Sequence, residues 1–133
     1  MTPPRQIALG IGGVFIHAQD PAALAAWYER HLGITSESYG GTFYHVFAWR
    51  RDAMPEARLS TTWAIFPADG PLPSPRSGIV NYHVSDLDRL VAQLEAEGIS
   101  VEDRTDESYG RFAHITDPEG NRIELYQELA TQA

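Results

Sequence analysis

The chain repeats itself. "GVFIHAQDPAAL", from Gly13, and "IVNYHVSDLDRL", from Ile79, share a histidine and an aspartate at one spacing, so that His17 and Asp20 answer His83 and Asp86. Gly33 and Gly98 each follow a helix-like stretch and precede an isoleucine, and "FYH" at 43–45 answers "FAH" at 112–114. Between the copies, "PADGPLPSPRSG" at 67–78 packs four prolines and two glycines into twelve positions, which excludes helix and disfavours strand. With 133 residues in all, the expected organisation is a first module at 1–66, a linker at 67–78 and a second module at 79–133, sharing one domain.

Both copies run through their elements in one order. A strand at about 11–18, and again at about 79–84, leads into Asp20 or into Ser85 and Asp86, which are helix caps followed by helix formers. Leu24, Trp27, Tyr28 and Leu32 in one helix, and Leu87, Leu90, Val91 and Leu94 in the other, are spaced to make one apolar face. Glycine ends both, as a left-handed cap requires. Three strand-like runs follow in each copy, although Arg50 to Leu59 and "EDRTDES" are too polar for their edges to be placed. The spacing therefore predicts an α+β fold of two βαβββ modules. His31, late on the first helix where a cation is favoured, reads as a surface residue.

The most informative stretch is "FAHITDPEGNRIELYQ", residues 112–127. Two strand-like runs meet at a turn in which Pro118 fixes φ, Asp117 can accept from backbone amides and Gly120 supplies a positive φ. Beyond it Glu124 stands between Ile123 and Leu125. Alternation sends the two apolar side chains under a helix and points Glu124 and Tyr126 the other way.

Taken with the duplicated βαβββ order and "DPAALAAWYERHLGI" after the first strand, "DPEGNRIELY" resembles the vicinal oxygen chelate superfamily, which includes glyoxalase I, bleomycin resistance proteins and extradiol dioxygenases. The resemblance covers nearly the whole chain. It implies two curved half-sheets around a pocket, a homodimer, and a metal-ligand role for a glutamate in the position of Glu124. The family's other ligand positions fall near Gly13, near Ile79 and near Thr62 or Trp63, none of which can bind a metal through its side chain. A divalent ion needs three or four oxygen or nitrogen donors. Glu124 is thus the only matching metal position, and no cofactor is expected, with a divalent metal kept as the lesser alternative.

Alternation also places His17 with Gly13 and Phe15, and Asn81 with His83, on the Glu124 side. His45 and His114, matched across the copies, are each set beside a phenylalanine on one face. Histidine titrates nearest neutrality, so these are candidates for acid or base work, although a histidine at a strand end commonly just bonds its neighbours. Phe15, Phe43, Phe47, Trp63, Phe112 and Tyr126 are candidate walls of one pocket, or ordinary core.

Composition narrows the partners. A formal charge of −8 argues against nucleic acid and anionic membranes, and suits a neutral or cationic small molecule. The absence of cysteine excludes disulfides, thiolate metal sites and a cysteine nucleophile. There is neither a signal-like start nor a run of eighteen apolar residues, so a cytoplasmic location is expected. Three functions stay open. The first is a metal-free binder of a small organic molecule, using His17, Asn81, His83 and Glu124 as polar contacts and Trp63 and Tyr126 for stacking. The second is an enzyme, either a divalent-metal lyase, isomerase or dioxygenase with displaced ligands, or a metal-free acid-base catalyst using Glu124 and a histidine such as His83. The third is a partner-binding subunit.

Overall fold

The computed structural model describes residues 9–71 and 79–129, apart from the side chain of Arg58. Residues 72–78 of the expected linker lie outside the described residues. The chain divides into two compact units between Gly70 and Pro71.

In the first unit β1 (Gly13–Ala18), α1 (Pro21–Leu32), β2 (Glu37–Tyr39), β3 (Thr42–Arg51) and β4 (Met54–Pro67) form a sheet of order β1-β4-β3-β2. In the second, β5 (Val80–His83), α2 (Leu87–Ala96), β6 (Glu102–Asp106), β7 (Gly110–Thr116) and β8 (Arg122–Glu128) repeat that order as β5-β8-β7-β6. The first strand pairs parallel with the last in each sheet, and the other pairs are antiparallel. Each unit is a βαβββ module, and the fold is α+β.

Local chemistry sets the element ends. Asp20 caps α1 by accepting from the Ala23 amide at 3.1 Å, Pro21 opens the helix, and Gly33 closes it in the left-handed conformation. Asp86 caps α2 through the Arg89 amide at 3.2 Å. Gly40 and Gly41, both at positive φ, make the two-residue reversal between β2 and β3, which ordinary residues resist. The two polar stretches turn out to be strands. β3 and β4 form a long hairpin that reverses at Asp52 and Ala53, and every residue of β6 is exposed.

One face of each sheet is covered by its own helix. In the first unit Leu24, Ala25 and Tyr28 pack over Ile16, Trp63 and Ile65. In the second, Leu87 and Leu94 pack over Ala113, Ile115, Ile123 and Leu125, and Gln127 Oε1 accepts the Leu87 amide at 2.8 Å on that same side. His31 is 7% exposed with its ring 5.0 Å from Trp27, which corrects its placement at the surface. Trp27, one turn earlier on the same side of the helix, covers it.

Candidate functional site

The turn before β8 aims the site. Asp117, 4% exposed, accepts from the Glu119 and Asn121 amides with one oxygen and from Asn121 Nδ2 with the other, all within 2.9 Å, and Gly120 has φ 89°. This fixes where β8 begins and so which of its side chains face the helix. Ile123 and Leu125 are buried under α2, while Arg122, Glu124 and Tyr126 face the opposite side.

On that helix-free face, strand register lines side chains into two rows. Asn81, Glu124, His114 and Glu102 are directly opposed across β5, β8, β7 and β6. Within this polar row Asn81 Nδ2 donates to Glu124 Oε1 at 2.7 Å, and His114 Nε2 lies 3.1 Å from Glu124 Oε2. The Glu124 side chain keeps 27% of its surface exposed. Beside it runs a row of rings: His83 and Tyr126, centroids 4.9 Å apart, then Tyr126 and Phe112, also 4.9 Å apart and within 15° of parallel, then Tyr109 at 5.8 Å from Phe112. The Tyr126 ring lies across Gly110, where an added Cβ would fall 2.3 Å from its Cε1. Glycine there is what lets the ring lie down.

The far end of the polar row is charged. β6 breaks register between Glu102 and Thr105, and in that irregularity Asp103 takes φ 51°, the one positive φ of a non-glycine among the described residues. Arg122 bonds both Asp103 and Glu102, and Asp103 Oδ2 comes within 3.9 Å of His114 Nδ1. That ring nitrogen is buried and has no hydrogen-bond partner.

The expected site residues therefore sort clearly. Asn81, His83, Glu124 and Tyr126 share one face of the second unit. His17 belongs to the first unit, exposed, its ring stacked on Phe66 at 5.8 Å. Trp63 does not offer a stacking surface. It is 1% exposed and meets Tyr28 of α1 edge-on at 5.0 Å, so its role is in the core on the helix side. The histidine beside Glu124 is His114, whereas His83 sits next to Tyr126.

The match of His45 with His114 also needs correction. Register pairs Tyr44 with Ala64, which opposes Phe15, just as His114 pairs with Glu124, which opposes Asn81. Tyr44 is therefore the counterpart of His114, and Ala64 that of Glu124. His45, one residue on, faces the helix side and donates from Nδ1 to the Thr35 carbonyl at 2.6 Å. A slip of one residue in a strand changes its face. Tyr44 bonds Glu37 at 2.8 Å, and that bond followed by the Glu37 charge raises its pKa.

A metal fits this donor set poorly. Of the groups that could bind one, Glu124 and His114 touch, but Asn81 turns its amide nitrogen to Glu124 and Glu102 is bonded to Arg122. Among the described residues no three His, Cys, Asp or Glu are grouped to hold an ion. A cavity of about 550 Å³ lies in the first unit between Ala48, Trp49, Pro55 and Leu59 of the β3–β4 hairpin, and it contains none of the expected site residues.

This duplicated βαβββ order is the fold of the vicinal oxygen chelate class. Within it the chain belongs to the family described as Glyoxalase-like domain, whose model matches residues 13–126. Solved structures share the fold. A glyoxalase family protein from Bacillus anthracis has a TM-score of 0.71 at 19% identity, over 95% of this chain and 100% of that one. TnmS3, an antibiotic binding protein from Streptomyces sp. CB03234, has 0.66 at 18%, over 94% and 100%. Lactoylglutathione lyase from Agrobacterium tumefaciens has 0.63 at 20%, over 92% and 96%. No curated protein matches the sequence. Among the described residues no helix is long and apolar enough to cross a membrane.

Proposed function

We propose that this chain binds a small organic molecule on the helix-free face of its second unit, without the family's divalent metal. The observation behind this is the state of Glu124. Its Oε1 accepts from Asn81 at 2.7 Å and its Oε2 lies 3.1 Å from His114 Nε2, yet the side chain keeps 27% of its surface exposed beside a row of four rings. A few fixed polar groups next to aromatic surface are the usual form of a small-molecule site. That a protein of the same fold, TnmS3, binds an antibiotic supports the same use of it here. The family resemblance further suggests a homodimer.

A second function is favoured by one specific contact. Glu124 and His114 form a carboxylate–imidazole pair 3.1 Å apart, which is also the equipment of a metal-free acid-base catalyst. In that case Glu124 takes a proton from the bound molecule and His114 holds the carboxylate in place. Turnover on a bound compound, lost in Glu124→Gln while binding survives, separates catalyst from binder.

The test of binding is a small-molecule screen read by amide chemical-shift perturbation. Shifts gathered at Asn81, Phe112, His114, Glu124 and Tyr126 are expected. Hits that perturb only the first unit, or no hits from a broad screen, would contradict the proposal.

A further inference from the structure

From the charge and ring pattern of this face we infer that its ligand is an organic cation, a flat ring bearing a protonated nitrogen, an inference that depends on the second unit's face being the binding site. Glu124 can only accept, and a carboxylate has room for about four hydrogen bonds. One of its oxygens accepts from the Asn81 amide, and the other lies 3.1 Å from the His114 imidazole. Among the described residues no arginine bonds it, the chain has no lysine, and Arg122, on the same strand, is committed to Glu102 and Asp103. The hydrogen-bonding capacity left on Glu124 is therefore for a donor, and a donor that brings a positive charge of its own is a cation.

Two further features agree. The polar row presents Glu124, Glu102 and Asp103 against the single arginine, so an anion entering there meets its own sign. The adjacent row, His83, Tyr126, Phe112 and Tyr109, offers π faces, and an aromatic face attracts a cation within about 6 Å of its centroid. Glu124 and Tyr126 are two residues apart on one strand, which sets carboxylate and ring roughly 7 Å from each other. That separation matches an arylamidinium or benzylammonium, whose ring and nitrogen reach both rows at once.

Three probes of nearly one shape settle the sign of the ligand: benzamidinium, benzamide and benzoate, titrated against the full chain by amide chemical shifts. Benzamidinium is expected to bind on the polar and ring rows at least roughly tenfold more tightly than benzamide, the gain from one charge-assisted hydrogen bond, with benzoate weakest. Glu124→Gln should remove that preference, bringing benzamidinium to the affinity of benzamide. Asn81→Lys, at an exposed position beside Glu124, should do the same by supplying a fixed cation, and serves if the first variant does not fold. Benzamide or benzoate binding to this face as tightly as benzamidinium overturns the cation while leaving the site standing. Binding of benzamidinium that persists in both variants overturns it too. No perturbation of this face by any probe overturns the cation and the site together.

Discussion

His114 and Glu124 stand directly opposite each other on β7 and β8, with Nε2 of one 3.1 Å from Oε2 of the other. The two side chains keep only 17% and 27% of their surface exposed, so the contact is sheltered from water. A double-mutant cycle of His114→Ala with Glu124→Gln, read by urea denaturation, is expected to show coupling of about 1 kcal/mol, the size usual for a sheltered polar contact. Arg111→Ala supplies the control. Arg111 lies on the same strand but faces α2, where it bonds Asp88 at 2.7 Å, so with Glu124→Gln it should be additive to within about 0.5 kcal/mol.

Gly110→Ala is expected to push the Tyr126 ring off its bed. The new Cβ would meet Tyr126 Cε1 at 2.3 Å, and the backbone of Gln127 at 3.2 Å limits how far β7 can yield. Overpacking of this kind costs about 1–3 kcal/mol. Most of that should be recovered in Gly110→Ala combined with Tyr126→Ala, because the second change removes the obstacle. Equal costs in the single and double variants would show that the ring is not the cause.

Trp63 and Tyr126 should separate stability from binding. Trp63→Ala empties the core between β4 and α1 and is expected to cost about 3–5 kcal/mol in denaturant unfolding. Tyr126→Ala removes a ring from the partly exposed row, and its main effect should be on ligand affinity. A Trp63→Ala protein of unchanged stability would mean that the ring is not core.

Asp88 gives a pH dependence of known sign. A hydrogen bond from Arg104, reinforced by the charges of Arg104 and Arg111, holds its carboxyl below the ordinary aspartate value near 3.8. A group whose folded pKa is depressed contributes stability that is full above its unfolded pKa and disappears as pH falls through the folded one. The stability difference between the parent and Asp88→Asn should therefore be present from pH 5 to 7 and shrink below about pH 4. A difference that grows on acidification would give the opposite sign.

These residues also show how far a sequence of this kind can be read. Glu124 was legible because Ile123 and Leu125 frame it in unmistakable alternation, and the Asp117 to Asn121 turn is spelled in residues with one conformational use each. His114 has the same framing, Ala113 and Ile115, and that alternation was the signal that pairs it with Glu124. Matching "FYH" to "FAH" as strings hid it, since in "FYHVF" every position but one is apolar or aromatic and the face is ambiguous. Trp63 lies in "TTWAIF", where period two is equally weak, and its packing on Tyr28 emerges only when β4 meets α1. β6 escaped because all five of its residues are exposed, so hydrogen bonding to β7, and no apolar pattern, makes it a strand. Asp103 and Arg122 join the row through that irregular pairing, for which no sequence spacing gives a sign.

The most direct test of the central claim, that Glu124 is bonded to Asn81, lies beside His114 and serves an organic ligand in place of a metal ion, is the metal content of protein purified without chelator, measured by elemental analysis beside Glu124→Ala. Metal well below one ion per chain in both proteins is predicted. One tightly held divalent ion per chain, lost on Glu124→Ala, would contradict it.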